Sequence, residues 1–297
     1  MRITFLGNHT VGVRVLEVLA EKAELVGIVA HPEDAEDGVR YESVYEWATA
    51  HKIPAIRGKA TAAEVTDFIK QTKPDLLWVA DYRYLLPSEI LKLPKHGTIN
   101  FHPSLLPKYR GRAPVNWAIL KGEKEFGLTA HFIDEGMDTG DILAQEKFYL
   151  NDDEDIADAL NKLYPLYQSI TRNIVDKLKQ GSLRPTKQDH TLATAYPARK
   201  PQDGLIDWSK SARDVLNLVR AVAAPYPGAY THCNGTKLII QKAKIAKDES
   251  SDGKPGYVAD CGKSSLHIKC GQGSLDVTLW ETEKEKCPPV EKGTTLS

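Results

Sequence analysis

The sequence predicts an α/β fold: a doubly wound, mostly parallel, Rossmann-like sheet followed by a smaller C-terminal β-barrel domain of the OB-like type. The first observation is that apolar strand patterns alternate with amphipathic helix patterns over the first half of the chain. The second is a series of short alternating strands, separated by turn residues, in the last quarter. The length of 297 residues also exceeds what one hydrophobic core usually supports, which favours two domains.

Composition and charge exclude several classes of protein. Apolar residues make up 41% of the chain, charged residues make up 27%, and the formal net charge is −1. This balance is typical of a globular protein and creates no overall field for nucleic acid or an anionic membrane. No apolar run approaches the roughly 20 residues of a membrane span, and the first strand begins too early for a signal peptide to precede it. We therefore expect a cytoplasmic protein without a membrane partner.

The cysteines do not indicate a metal site. Cys233, Cys261, Cys270 and Cys287 all lie in the last third of the chain, and none has histidine or cysteine neighbours at metal-ligand spacing. We interpret them as reduced thiols, and a single disulfide among them stays an alternative. We therefore expect no metal cofactor.

The first elements open a parallel sheet. Residues 2–7 form an apolar strand that ends in glycine, residues 8–10 a turn, residues 11–19 a helical pattern and residues 25–30 a second strand. Gly7 and Gly12 do not complete a G-x-G-x-x-G pattern, so a dinucleotide site is not supported. The helix start at His9 and Thr10 could hold an anion, or it could be a simple tight turn.

The later elements continue the alternation and then break it. Helices are predicted at residues 41–51, 61–71, 113–120 and 151–180, and strands at 75–80, 98–101, 126–133 and 142–149. Three strands end in loops with polar or aromatic residues, where open α/β sheets bind ligands. A proline-containing connector sets the predicted boundaries, which are a first domain at 1–188, a linker at 189–203 and a C-terminal domain at 204–297.

A strand that runs into an ordered loop at residues 100–111 carries the clearest chemistry. Asn100 and His102 are two positions apart, so a continuing strand presents both on one face. An amide can donate to a developing oxyanion, and an imidazole can move a proton near neutral pH. For such a pair in isolation, a turn-capping Asn and a packed His are the structural alternative. The loop at 134–141 has three aspartates, which suit Asx turns better than a calcium loop.

Three segments together resemble the 10-formyltetrahydrofolate-dependent formyltransferases: residues 82–86, 100–111 and 127–141. Residues 206–209 and 219–229 are similar to the C-terminal OB-like domain of that family, so the resemblance covers both predicted domains. It implies a catalytic trio of Asn100, His102 and Asp138. It also implies that 10-formyltetrahydrofolate is contacted by Tyr84, Leu85, Leu86, Arg112, Asp134, Glu135, Gly136, Met137 and Asp138.

The residue types agree with formyl transfer to an amine. Asn100 would donate to the oxyanion that forms when the amine attacks the formyl carbon. His102 would accept the proton from the amine and pass it to the departing folate nitrogen. Asp138 would stabilise the imidazolium and fix its tautomer. This chemistry needs neither a metal nor a covalent enzyme intermediate.

The acceptor is predicted from charge and from one further likeness. Residues 33–37 hold four acids against the single Arg40, and residues 201–297 hold 13 Lys and Arg against 12 Asp and Glu, so a nucleic-acid partner is not expected. Residues 108–117 are similar to the formyltransferase domain of the bifunctional aminoarabinose enzyme of lipopolysaccharide modification. We therefore expect a UDP- or dTDP-linked amino sugar as acceptor. Its contacts would come from His9, Thr10, Ser104, Lys108 and Arg110.

Several alternatives stay open. Pro103 follows His102 where the aminoarabinose and tRNA enzymes usually have glycine, which leaves the sugar undetermined. The first alternative function is a methionyl-tRNA formyltransferase. The glycinamide ribonucleotide enzyme ranks lower because it lacks the OB-like domain. A folate-binding module without turnover and a formyltetrahydrofolate hydrolase are further alternatives, and the oligomeric state is open, with a homodimer among the possibilities.

Overall fold

The computed structural model describes residues 1–32, 41–247, 253–262, 265–282 and 290–297. The acidic segment at 33–37, Arg40 and Cys287 lie outside the described residues. The chain forms two compact units. The first contains Met1–Gly111, Gly127–Phe148 and Asn161–Ala195, and the second contains Arg112–Phe126, Tyr149–Leu160 and Tyr196–Ser297.

The larger sheet has seven strands in the order β3-β2-β1-β4-β5-β7-β8. Its strands are β1 Arg2–Gly7, β2 Glu24–Ala30, β3 Ala55–Arg57, β4 Leu76–Ala80, β5 Thr98–His102, β7 Glu125–Phe132 and β8 Ile142–Tyr149. The short strands β6 Arg110–Gly111 and β9 Ala195–Tyr196 form a separate two-stranded sheet. The pairs β1–β2, β1–β4, β2–β3 and β4–β5 are parallel, whereas β5–β7 is antiparallel. The predicted Rossmann-like, mostly parallel sheet is therefore confirmed.

Seven α-helices and two short 3-10 helices accompany the strands in the described residues. The α-helices are α1 His9–Lys22, α2 Val44–Ala50, α3 Ala63–Thr72, α4 Ser88–Leu91, α5 Pro114–Leu120, α6 Ile156–Lys179 and α7 Ala212–Val222, and the 3-10 helices are His190–Leu192 and Pro201–Gly204. Helix α6 begins five residues later than the sequence predicts. The carboxylate of Asp155 accepts the backbone N–H of Ala157 at 2.9 Å, which caps the helix there.

The core of the first unit explains why its strands read as continuous apolar runs. Helix α3 presents Val65 and Ile69, one turn apart, to the strand residues Leu6, Val29 and Leu77, and all five side chains are buried. Helices that cover a parallel sheet leave little strand surface to water, so strand residues on either face can be apolar.

The second unit contains a five-stranded antiparallel sheet in the order β10-β11-β14-β13-β12. Its strands are β10 Ala229–Cys233, β11 Thr236–Ile245, β12 Val258–Cys261, β13 Leu266–Lys269 and β14 Ser274–Thr282. Asn234 and Gly235 join β10 to β11 with φ values of 48° and 76°, the positive angles that a two-residue hairpin turn of this kind requires. The predicted C-terminal antiparallel domain is confirmed. Over the described ranges, no helix has the length and apolar character needed to cross a membrane.

We predict that Gly140→Ala destabilises the fold, because a Cβ there would overlap the backbone carbonyl of Phe132. Backbone cannot move aside as a side chain can, so we expect a loss of about 1–3 kcal/mol of unfolding free energy. Gly262→Ala is the control, since its Cβ would lie 3.5 Å from the nearest atom, the Ser265 hydroxyl. Urea unfolding of both variants measures the difference, and equal midpoints would contradict the close approach at Gly140.

Candidate active site

Strands β5 and β7 place four polar side chains on one face of the sheet. The antiparallel register pairs Asn100 with His131 and His102 with Thr129. Alternate residues of one strand share a face, and directly paired residues of neighbouring strands share it too. Asn100 and His102 are therefore brought together as the sequence predicts. His131 and Thr129 lie beside them.

The imidazole of His102 is buried, at 5% exposure. Its Nε2 lies 2.7 Å from the carbonyl oxygen of Tyr109, and a carbonyl can only accept, so Nε2 carries a proton and donates. Its Nδ1 lies 3.6 Å from Oδ2 of Asp138, which is an ion-pair distance and not a hydrogen bond. The carbonyl of Tyr109 is thus a tautomer-setting partner that the sequence does not predict.

Asp138 occupies a constrained position in the loop after β7. Its φ is 55°, in the left-handed region that few residues other than glycine adopt. Its Oδ2 accepts the backbone N–H of Gly111 at 2.8 Å, and its Oδ1 lies 3.7 Å from Nε2 of His131. The carboxylate therefore faces both histidines while a backbone donor holds it in place.

Gln188 holds the loop that contains Asp138 through hydrogen bonds to its backbone. Its amide nitrogen donates to the carbonyl oxygens of Asp138, at 2.9 Å, and Gly140, at 2.7 Å. Its Oε1 accepts from the guanidinium of Arg110 at 2.6 Å, and the same guanidinium nitrogen donates to Nδ1 of His190 at 3.0 Å. Gln188 falls at the end of the first predicted domain, and no motif marks it in the sequence.

Arg110 and Ser104, two of the predicted substrate contacts, are buried and form hydrogen bonds within the protein. Arg110 is buried, and its guanidinium donates to Gln188, the residue that holds the Asp138 loop, so it does not face an open surface. The hydroxyl of Ser104 is also buried and donates to the carbonyl of Lys108 at 2.7 Å, which closes the loop after β5. The sequence missed this because a hydroxyl and a guanidinium can serve a turn as well as a ligand.

The remaining predicted substrate contacts lie at the strand ends or on the surface. Nδ1 of His9 lies 2.6 Å from Oδ2 of Asp81, the residue directly after β4. The Thr10 hydroxyl accepts the backbone N–H of Glu42 at 3.4 Å. Lys108 is exposed. A His–Asp pair thus stands at the start of α1, where an anion was expected.

The predicted folate contacts divide into exposed and packed side chains. Leu85 is 82% exposed and Met137 is 58% exposed, which is unusual for large apolar residues. Leu86 packs against the hydrophobic cluster of the first unit, and the ring of Tyr84 lies 5.1 Å from that of His31. The loop after β4 therefore has one exposed apolar side chain on a packed base.

The loop at residues 134–141 has the Asx turn that its sequence predicts. Oδ1 of Asp134 accepts from the backbone N–H of Gly136 at 3.0 Å and from the Thr139 hydroxyl at 2.5 Å. Glu135 is exposed beside them. Arg112 is exposed and belongs to the second unit. Within the described residues, no group of three or more His, Cys, Asp or Glu side chains could hold a metal ion.

His131 is a second site residue, after Gln188, that sequence reasoning missed. It is 2% exposed, its Nδ1 lies 2.7 Å from the carbonyl oxygen of Phe132, and its Nε2 lies 3.2 Å from Nδ2 of Asn100. Burial lowers the pKa of His131, and the carboxylate of Asp138 opposes that shift only in part. The sequence signal was the alternation of Thr129 and His131 in an otherwise apolar strand.

Comparisons with known proteins show the family. Residues 1–170 match the family model described as formyl transferase, and residues 199–292 match the model of the formyl transferase C-terminal domain. The methionyl-tRNA formyltransferase of Acetivibrio thermocellus is 35% identical over 98% of this chain and 95% of that protein. The one from Citrifermentans bemidjiense is 36% identical over 97% of this chain and 91% of that protein.

A solved structure confirms the fold. The N-formyltransferase of Helicobacter canadensis, crystallised with folinic acid and dTDP-3-aminofucose, superposes with a TM-score of 0.69. It is 20% identical, and the match covers 93% of this chain and 98% of that chain. At such low identity, this likeness speaks for the fold alone.

The predicted acceptor is wrong. The sequence was expected to be most similar to sugar-nucleotide N-formyltransferases, yet near-full-length relatives at 35% and 36% identity are methionyl-tRNA formyltransferases. A nucleotide sugar as the partner is overturned by the same finding. The physical reason is that the residues predicted for formyl transfer would suit any amine and that a net charge does not report where the charges lie. The chain belongs to the formyl transferase family and is a 10-formyltetrahydrofolate-dependent N-formyltransferase.

Proposed function

We propose that this protein transfers the formyl group of 10-formyltetrahydrofolate to the amino group of methionyl-tRNA. The observation that carries the proposal is the likeness to methionyl-tRNA formyltransferases over nearly the whole of both chains, 98% of this one and 95% of the Acetivibrio thermocellus enzyme. Both units take part in that match. The acceptor in this proposal replaces the nucleotide sugar.

Local charge is compatible with a nucleic-acid acceptor even though the net charge is small. Lys242 and Lys244 lie two positions apart on β11, and both are exposed. Lys247 is exposed just beyond the end of that strand. Phosphate contacts depend on such clusters and not on the charge summed over a domain. These three lysines are our candidates for contacts to the tRNA backbone.

The proposed chemistry uses the face shared by β5 and β7. Asn100 donates from its amide nitrogen to the formyl oxygen as negative charge develops there. His102 keeps its Nε2 proton on the carbonyl of Tyr109, so Nδ1 is the nitrogen that takes the proton released by the attacking amine. The resulting imidazolium faces Asp138 at 3.6 Å. It returns the proton to the folate nitrogen as the bond from that nitrogen to the formyl carbon breaks.

The formyl donor would be held by the exposed apolar side chains near this face. Leu85 and Met137 are exposed in the described part of the chain, and large exposed apolar residues often mark ligand sites. They could pack against the flat rings of a folate. Tyr84 and Leu86 form the packed base beneath Leu85.

We predict that His102→Ala lowers kcat by at least about 100-fold, the range typical of a lost general acid–base group. Binding of the folate should change little, because the proposed folate contacts lie on other loops. His96→Ala, an exposed histidine of the same unit, is the control and should retain wild-type turnover. Single-turnover formylation and folate titration separate the two effects. A His102→Ala enzyme with near wild-type kcat would refute the assignment.

Gln188→Leu should reduce both stability and turnover. The change removes the Gln188 amide from the carbonyls of Asp138 and Gly140 and leaves the guanidinium of Arg110 with only His190 of its two described acceptors, at a cost of about 1–3 kcal/mol for buried polar groups. Gln188→Glu keeps an acceptor for Arg110 but removes the two amide donors. Thermal unfolding and kcat of both variants test the support. If Gln188→Leu keeps full turnover, Asp138 does not depend on Gln188.

The identity of the acceptor is tested by offering the protein charged tRNA and nucleotide-linked amino sugars side by side. Purified protein with 10-formyltetrahydrofolate should formylate charged methionyl-tRNA and leave UDP- and dTDP-linked amino sugars unchanged. Lys242→Ala combined with Lys244→Ala should raise KM for the tRNA and flatten its salt dependence by roughly 0.7–0.9 per lost phosphate contact in a log–log plot. Lys52→Ala with Lys92→Ala, exposed lysines of the first unit, is the matched control. Turnover of a sugar with tRNA inert would overturn the proposal.

A further inference from the structure

We propose that His131 is a positioning residue for formyl transfer: its neutral imidazole accepts a hydrogen bond from Asn100 and thereby fixes the direction in which the Asn100 amide donates. The inference rests on the proposed role of Asn100 as oxyanion donor and does not depend on which amine is the acceptor. It begins from the register of β5 and β7, which pairs the two residues directly across the strands.

The tautomer of His131 follows from its backbone partner. Nδ1 lies 2.7 Å from the carbonyl oxygen of Phe132, the next residue in the chain. That oxygen has no proton to give, so Nδ1 must be the protonated nitrogen. In a neutral imidazole, Nε2 is then an acceptor with a free lone pair. The backbone of β7 itself therefore selects the form of the ring.

The orientation of Asn100 follows from that tautomer. Nε2 of His131 lies 3.2 Å from Nδ2 of Asn100, and only an N–H can donate to the lone pair. The amide must therefore turn its nitrogen, and not its oxygen, toward His131. One of its two N–H groups is used in this bond. The second N–H is left for a formyl oxygen, and Asn100 is only half-buried.

Protonation of His131 would remove this arrangement. An imidazolium donates from both nitrogens, so Nε2–H would face the N–H of Asn100 and the amide would have to turn over. The charged groups that act on the ring are Asp138 and, more weakly, Asp134, which favour the imidazolium, and His102, which opposes it. Burial is the largest influence and lowers the pKa of His131, so the ring stays neutral near pH 7.

The decisive kinetic experiment is a double-mutant cycle. His131→Leu removes the acceptor and should lower kcat by about 10- to 100-fold, less than the 100- to 1,000-fold typical of removing an oxyanion donor outright. KM for the folate should change less than threefold. His131→Gln can still accept from Asn100 through its side-chain oxygen and should recover most of kcat. In an Asn100→Ala background, His131→Leu should have almost no further effect, because the group that it positions is gone.

The pH dependence adds a readout that mere space filling would not change. A folded-state pKa below the unfolded value of roughly 6.5 makes the contribution of His131 to stability complete above that pH and progressively lost below it. Wild-type protein should therefore lose stability relative to His131→Gln as the pH falls from 6.5 to 5. Its kcat should fall on the same acid side, where His131→Gln stays flatter.

A measurement on the wild-type protein keeps the proposal testable if a variant does not fold. Nitrogen-15 chemical shifts of the histidine rings, assigned by the signal missing in His131→Gln or by through-bond correlation, report which nitrogen carries the proton. We expect His131 as the neutral Nδ1–H form at pH 7. An Nε2–H form, or an imidazolium, would overturn the proposal.

The outcomes also separate this inference from the proposed function. If Asn100→Ala keeps wild-type kcat, the assigned role of Asn100 fails and the positioning role fails with it. If Asn100→Ala lowers kcat while His131→Leu does not, or if the two losses multiply in the double variant, only the positioning role is overturned.

Discussion

The antiparallel pairing of β5 with β7 is the constraint on which the rest of the site depends. On one side, β5 pairs in parallel with β4, as in an ordinary βαβ unit. On the other side, β7 runs antiparallel to β5. That reversal sets His131 across from Asn100 and brings the following loop, with Asp138, back to His102. A shift of β7 by one residue against β5 would turn His131 to the face opposite to that of Asn100 and His102.

The site is held by backbone groups as much as by side chains. The carbonyl of Tyr109 orients His102, the carbonyl of Phe132 orients His131, and the N–H of Gly111 holds the carboxylate of Asp138. Backbone groups cannot rotate away as side chains can, so they give the imidazoles little freedom before any substrate binds. Such preorganisation is what makes fixed donors effective in catalysis.

The sequence predicted the fold and the shared face of Asn100 and His102, because periodicity and short motifs are local properties. Asp138 came from the resemblance to the formyltransferases, and the catalytic role of all three residues stays a prediction. The sequence could not predict Gln188 or His131, since their importance arises from partners 50 and 31 positions away in the chain. Arg110 and Ser104 were assigned to the substrate from their chemistry, whereas burial gives them supporting tasks. The prediction of the acceptor failed for a different reason. Charge was summed over a stretch of sequence, whereas an RNA backbone responds to the charges that lie together on a folded surface.

The left-handed backbone of Asp138 limits which substitutions can be interpreted. At a φ of 55°, asparagine and aspartate are tolerated far better than longer or branched residues. Glutamate would keep the charge but strain the main chain, and alanine would lose the charge and carry strain as well. Asparagine alone changes the charge while leaving the backbone where it is. The geometry of one residue thus decides which mutant can isolate electrostatics from structure, and comparisons between family members that differ at this position should be read with the same restriction.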